Sequence, residues 1–318
     1  MFDTKIKAIN YYVPGQKLAV GDLLASVPDK EIPLAFQDRQ AYADFIRDEL
    51  GVTDVRVEYK LKDEEMLTKV VEELFMEHDI EPDEIDMIVM AQEHDQRTKE
   101  NLGQFIQYEF ELDNAYVFNL AGNHCANIDY ALTVCSEMAS GNERINNILM
   151  LGNVKIEDPS KRLVGTYGLL SDGAGAMLLS KHGGTYGLKN SHILSAGRLH
   201  DVDLNRDDSL LLFKYYTKCL HELIVKTGID PDDIAHIITQ NANTMLITQC
   251  LAANGLDTKK IFTRNKTKYA HLDCLDFLIN LKDTIDSMEA SGNKGLILSF
   301  GTGWAGSFIS SLLSSGQI

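Results

Sequence analysis

An α/β protein built from two similar halves, each a sheet covered by helices on both faces, is the fold class this sequence predicts. Three observations predict it. Continuous apolar strand-like runs alternate with amphipathic helices, the pattern of sheets buried on both sides. One block of the chain repeats, faintly, 149 residues later: Pro82 pairs with Pro231, Ile85 with Ile234 and Ile88 with Ile237. The 318 residues, 44% of them apolar, supply a large core and exceed one ordinary domain.

Taken in order, the first segment, MFDTKIKAINYYVPG, lacks the basic region and continuous apolar core of a secretory signal. It reads as a first strand kept by a cytoplasmic protein. An amphipathic helix follows around 65–78, then a short acidic turn with Pro82, then the buried-type strand IDMIVMA. A second helix at about 101–111 leads to the strand YVFNL and the cysteine-bearing stretch NLAGNHCANIDYAL. The strand ILMLG at 148–152 closes the first round. The second round has a helix at 209–227, a turn with Pro231, the strand IAHIITQ, a helix at 244–254, a strand-like KIF, a second cysteine-bearing helix and the strand ILSFG at 297–301. The same offset relates ILMLG to ILSFG and Cys125 to Cys274. Coincidence between two generic βα units is the competing reading, and one constant offset across separate elements argues against it.

Composition excludes several functions. A net charge of −17 opposes nonspecific binding to nucleic acid or anionic membranes, while leaving room for a local basic patch for a phosphate-bearing substrate. No apolar run reaches membrane-spanning length. Cys125, Cys135, Cys219, Cys250 and Cys274 are odd in number, widely spaced and without a CxxC pair, which argues against a disulfide framework or a zinc site. Cys125 itself reads as a buried free cysteine or as a nucleophile at a helix start. Gly122 permits a sharp turn after YVFNL, and ANIDYALTVCSEM carries apolar residues at helical spacing. The positive end of the helix dipole would then favour the thiolate, and the Cys125 N–H could face a thioester oxyanion.

Four stretches in order resemble the thiolase superfamily, and within it the β-ketoacyl-acyl-carrier-protein synthase III branch, over nearly the whole chain. They are the cysteine segment ENLGQFIQYEFELDNAYVFNLAGNHCANIDYAL, LLSDGAGAMLL at 169–179, DDIAHIITQNAN at 232–243, and ILSFGTGWAGSFISSLL at 297–313. The resemblance implies a five-layer αβαβα fold, divided as 1–180 for the half carrying Cys125 and 181–318 for the half carrying its partners. It also implies a homodimer, with family contacts expected in the loop Gln92 to Arg97.

The resemblance makes Cys125 the nucleophile of an acyl transfer through a cysteine thioester. The pattern departs at its partners. Where the family holds a histidine in HQAN, this chain reads QNAN, so Gln240 replaces it. An amide does not titrate and cannot serve as a base. Where the family holds an asparagine in a GNTS-type loop, this chain reads YAHLDCLD and places His271. That loop is similar to the GHLGxxD-like loop of a divergent acyltransferase subgroup of specialised metabolism, whose histidine activates the cysteine or deprotonates an alcohol or amine. His271 is therefore the expected base. Gln240 and Asn243 are expected as hydrogen-bond donors around the thioester, and Gly303 as an oxyanion-hole N–H. Asp276 either orients the imidazole or is a solvent-facing carboxylate at a helix start. His124 is given a structural role, and Cys274 is read as helix packing.

The expected function is a synthase-III-like acyltransferase of specialised metabolism that moves an acyl group to a small-molecule acceptor. Decarboxylative condensation and a catalytically silent partner subunit are the alternatives. No cofactor is expected beyond the donor's phosphopantetheine, on coenzyme A or an acyl carrier protein. The carrier protein is preferred because YADFIRDELGV retains only Gly51 and an aromatic of the family's coenzyme A segment, with Arg47 displaced.

Overall fold

The computed structural model describes residues 2–91, 101–199, 209–303 and 306–315. Its strands are β1 (Lys5–Tyr12), β2 (Lys17–Ala19), β3 (Asp54–Arg56), β4 (Met87–Ala91), β5 (Tyr116–Leu120), β6 (Asn147–Val154), β7 (Leu163–Val164), β8 (Gly168–Leu169), β9 (Gly173–Ser180), β10 (Tyr186–Ser195), β11 (Ile234–Ile238), β12 (Leu296–Gly303) and β13 (Ser307–Ser314). Its helices are α1 (Val20–Ser26), α2 (Arg39–Asp48), α3 (Asp63–His78), α4 (Leu102–Glu109), α5 (Asn127–Ser140), α6 (Ser209–Thr227), α7 (Met245–Ala253), α8 (Arg264–Tyr269) and α9 (Leu275–Ser291).

Nine strands form one mixed sheet in the order β11-β12-β13-β10-β1-β9-β6-β4-β5. Strands from the first part of the chain lie on one side of a short β1–β10 seam, joined by the pairs Lys5 to Gly187 and Ile6 to Tyr186. Strands from the second part lie on the other. In both parts the strand after the Pro-containing turn runs parallel to its neighbour, β4 beside β6 and β11 beside β12.

Alternation along the strands sends successive side chains to opposite faces. On the first half, Ile88, Met90, Leu149 and Leu151 meet α3 and α4 through Val70, Leu74, Leu102 and Ile106. The opposite face, with Val89, Met150 and Met177, meets α5 and α9. That central core also takes Ile238, Ile297 and Leu313 from the second half, whose far face packs on α6 and α7. The layers are thus α3/α4, strands, α5/α9, strands and α6/α7. Gly175 on β9 lets α9 lie this close, since a Cβ there would stand 3.0 Å from both Leu275 and Leu278. Burying each such leucine stabilises the fold by roughly 1.5–3 kcal/mol.

The repeat is visible in three dimensions. The turns Pro82–Glu84 and Pro231–Asp233 precede β4 and β11, and β6 and β12 begin 149 residues apart. Cys125 and Cys274 each stand just before a central helix. One expected element shrinks: KIF contributes only a single bridge, Ile237 to Ile261, because α8 starts two residues after Phe262. Cys135, Cys219, Cys250 and Cys274 are buried in the cores, as expected. Among the described residues no helix is long and apolar enough to cross a membrane. The loop Gln92 to Arg97 lies outside the described residues.

Candidate active site

The centre of the two halves holds Cys125. The chain leaves β5, turns at Gly122 with φ 93°, and passes His124 at φ 46° into a single 3-10 turn, His124–Ala126, that runs into α5. Asn123 secures the turn. Its N–H donates to Asn127 Oδ1 at 3.0 Å, and its Oδ1 accepts the Ser307 hydroxyl at 3.0 Å. Gly303, at the end of β12, touches the same loop. A Cβ there would stand 2.1 Å from the Asn123 carbonyl oxygen, so only glycine permits this approach. Gly303 therefore lies beside the turn that carries Cys125.

His271 arrives from the second half. Its backbone is clamped on both sides, donating to the Leu169 carbonyl at 3.1 Å and accepting from Ser171 N–H at 2.8 Å. Its Nε2 lies 3.2 Å from Cys125 Sγ, and its Nδ1 lies 2.5 Å from Asp276 Oδ2. Asp276 is fully buried in the first turn of α9 and faces inward. The loop folds back on Asp273, at φ 53°. Three further donors hold the carboxylate: Asn241 N–H at 2.7 Å, Asn241 Nδ2 at 2.9 Å and Leu272 N–H at 2.9 Å. Asn280 Nδ2 in turn donates to Asn241 Oδ1 at 3.0 Å and Asn265 Nδ2 to Asn280 Oδ1 at 3.0 Å. This anchored chain fixes the imidazole in one orientation and one tautomer, with Nδ1 carrying the hydrogen toward the carboxylate.

The charges correct one expectation. Burial pushes the Cys125 thiol well above its ordinary range, and the carboxylates of Asp273 and Asp276 push it further. A helix N-terminus contributes only about 0.3–1 kcal/mol toward the thiolate and is outweighed here. These influences favour the neutral thiol over the thiolate, which is the form a neighbouring base could act on. Burial lowers His271, but the charge and hydrogen bond of Asp276 outweigh it, with Asp273 adding, and the imidazole ends above its ordinary 6.5. A base strengthened in this way suits a proton held by a reluctant thiol.

Gln240 and Asn243 are placed differently from each other. Gln240 lines a cavity of about 10 Å³ with Cys125, Asp129, Phe277 and Phe300, room for one water. Both ends of its amide are engaged: Nε2 donates to the Thr302 carbonyl at 2.6 Å, and Oε1 accepts from the Tyr167 hydroxyl at 2.8 Å. Asn243 donates to the Thr166 carbonyl at 3.2 Å and accepts from Met245 N–H at 3.0 Å, which ties it to a turn and to the start of α7. The structure does not bring Asn243 into the cluster around the thiol. Asp129 accepts the hydroxyls of Ser299 and Ser311, each at 2.8 Å, and burial lifts it to about 6.

Reasoning from the sequence missed three residues. Tyr167 packs its ring edge-on against His271 at 6.0 Å between centroids, and no local signal marks it. Asn241 sits inside QNAN, where its role was legible only as a neighbour of Gln240. Asp273 occupies the second glycine position of the GHLGxxD-like loop, a signal that was readable. Arg47 is exposed on α2 and paired with Asp44 at 2.7 Å and Asp48 at 2.8 Å. Among the described residues no group of His, Cys, Asp and Glu side chains is arranged to hold a metal ion.

Known proteins share this frame. The family model for the 3-oxoacyl-[acyl-carrier-protein] synthase III C terminal matches residues 224–311. The β-ketoacyl-[acyl-carrier-protein] synthase III of Aquifex aeolicus is 22% identical over 299 residues, spanning 89% of this chain and 90% of that protein. The synthase III of Clostridium botulinum is 26% identical over 325 residues, spanning 92% and 93%. In three dimensions the Aquifex enzyme superposes with a TM-score of 0.78 at 20% identity, over 98% of this chain and 99% of its own. ChlB3, an acyltransferase, superposes at 0.79 and 15% identity over 98% of both chains.

Proposed function

We propose that this chain, which is similar to the β-ketoacyl-[acyl-carrier-protein] synthase III enzymes, is a synthase III-like acyltransferase of specialised metabolism that carries the acyl group as a thioester on Cys125. The observation that carries the reading is the line Cys125–His271–Asp276, with contacts of 3.2 and 2.5 Å. His271 takes the thiol proton as sulfur attacks the donor thioester, and Asp276 stabilises the imidazolium. The collapsing intermediate releases the donor thiol, which takes the proton back. In the second half the acceptor's oxygen or nitrogen attacks the Cys125 thioester, and His271 takes its proton. The N–H groups of Cys125 and Gly303 are assigned to the oxyanion.

Transfer to oxygen or nitrogen is favoured over decarboxylative condensation because the Gln240 amide is already committed to Thr302 and Tyr167. A silent partner subunit has no use for a complete triad. The donor is an acyl group on the phosphopantetheine of a carrier protein or coenzyme A, and the ion-paired Arg47 favours the carrier protein. A homodimer is supported by β5, an edge strand with Tyr116 46% exposed, which offers unpaired backbone groups to a second copy. The halves 1–180 and 181–318 supply the nucleophile and its base respectively.

The test is intact mass after incubation with acyl-carrier-protein and acyl-coenzyme A donors. An acyl adduct that disappears in Cys125→Ala is expected. No adduct with any donor would overturn the proposal.

A further inference from the structure

The triad leaves one charged group at the site unexplained. Asp273, two residues along the chain from His271, lies close enough for its charge to act on both the Cys125 thiol and the imidazole. Its Oδ1 is buried and has no hydrogen-bond partner among the described residues. A buried carboxylate oxygen without a donor is costly, and one that persists in a fold calls for a reason such as strain, a catalytic role, or a water or ion that meets it. The backbone points the same way. Asp273 holds φ 53°, a region where glycine is comfortable and most residues are not. The neighbouring Asp276, by contrast, is saturated by four donors and has no lone pair left facing the thiol.

Resting on the acyltransferase reading, we propose that the acceptor is an amine that enters as its ammonium ion, and that Asp273 is the catalytic residue that binds it and removes its first proton. Proton stoichiometry carries the choice. An alcohol has one proton to lose. His271 takes that proton and returns it to the departing Cys125 sulfur, so the triad suffices alone. An ammonium must lose two. Asp273 takes the first and leaves a neutral amine with a free lone pair. The nitrogen attacks the thioester carbonyl, forming the C–N bond. His271 takes the second proton, the C–S bond breaks, and that proton passes to sulfur. Asp273 then releases its proton to water. The sum is acyl-enzyme plus ammonium giving amide, free thiol and one proton. Two carboxylates flank one imidazole here, so a cation is attracted and the free carboxylate of a malonyl-type donor is repelled.

The experiment loads Cys125 from acetyl-coenzyme A or an acetyl-carrier protein, removes excess donor, and follows adduct loss by mass at pH 7 with n-butylamine or 1-butanol. The wild-type adduct should discharge faster with the amine. In Asp273→Asn, which tolerates the left-handed backbone, amine discharge should fall about 100-fold, the scale of one lost general base. Butanol discharge should fall far less than amine discharge, since there Asp273 acts only through its charge on His271 and takes no proton. Asp273→Gly removes the backbone cost with the carboxylate. It should show the same loss, and added formate should restore part of it. An amine preference retained in both variants, or equal discharge of the wild type by both acceptors, would overturn the inference and leave the thioester chemistry standing. Absence of any adduct would instead remove the acyltransferase reading and this inference together.

Discussion

Asp276→Asn is the most informative single change at the site. The carboxylate receives two donors on each side: His271 Nδ1 and Asn241 N–H on Oδ2, Asn241 Nδ2 and Leu272 N–H on Oδ1. An amide keeps the shape but must turn its NH2 toward one of those sides. Toward Asn241 Nδ2 and Leu272 N–H it would face two donors, leaving each unpaired at about 1–3 kcal/mol. Toward His271 it faces only one obligatory donor, because the imidazole can move its hydrogen from Nδ1 to Nε2. That orientation is therefore preferred, and it aims Nε2–H at the Cys125 sulfur. The ring then cannot accept the thiol proton, and no negative charge balances an imidazolium. A wrong tautomer with the geometry intact costs about 10⁴ in rate in triads of this type. At about 1.4 kcal/mol per decade, the expected loss of 10²–10⁴ in Cys125 acylation corresponds to about 3–5 kcal/mol. The assay is the time course of acyl adduct formation by intact mass, with circular dichroism and thermal unfolding recorded in parallel. Acylation within about threefold of wild type in a folded variant would refute the assignment of Asp276 as the group that orients and charges the imidazole.

Three further outcomes follow from the same contacts. The acylation rate should rise with pH along a limb lying above 6.5, since the active base is neutral His271 and the Asp276 carboxylate raises it; Asp276→Asn should carry that limb to lower pH, and a limb that stays put would count against the coupling. Gly303→Ala places a methyl 2.1 Å from the Asn123 carbonyl and must displace the nucleophile turn; it should cost about 1–3 kcal/mol in denaturant unfolding and slow acylation, whereas an unchanged rate would show that the β12 contact does not set the turn. Asp129 is lifted by burial from the ordinary 3.8 to about 6, so the folded state binds its proton more tightly than the unfolded state and loses stability as pH rises between those values. Asp129→Asn should therefore be more stable than the wild type by about 3 kcal/mol at pH 7 and equal to it below pH 4, read from urea unfolding.

What was legible in the sequence divides along a physical line. Strand periodicity, the Pro-containing turns and the 149-residue offset report local propensity and burial, and β4, β6, β11 and β12 form where those signals lie. Cys125 and His271 were singled out from the order of motifs along the chain, and the fold places them 3.2 Å apart because the loops before α5 and α9, one from each half, meet at one centre. The direction of Asp276 was not legible, since it depends on a loop with two positive-φ residues, Ala270 and Asp273, and on Asn241, 35 residues away in sequence. The commitment of Gln240 was hidden for the same reason: Tyr167 is 73 residues away. The balance of influences on the thiol was hidden for a different one. A helix start is visible in sequence and argues for a thiolate, but the groups that decide the matter are burial and two carboxylates that only the fold places beside the sulfur. A local dipole effect is readable and the opposing effect of burial and neighbouring charge is not, so a motif of this kind speaks to the position of a thiol more directly than to its charge. The same reasoning makes Asp273 informative. In the sequence it is one of 47 acidic residues, marked only by standing where the GHLGxxD-like loop has a glycine. In the fold it is a carboxylate with a buried, unpartnered oxygen whose charge acts on the Cys125 sulfur, which is what the proposed amine acceptor would meet.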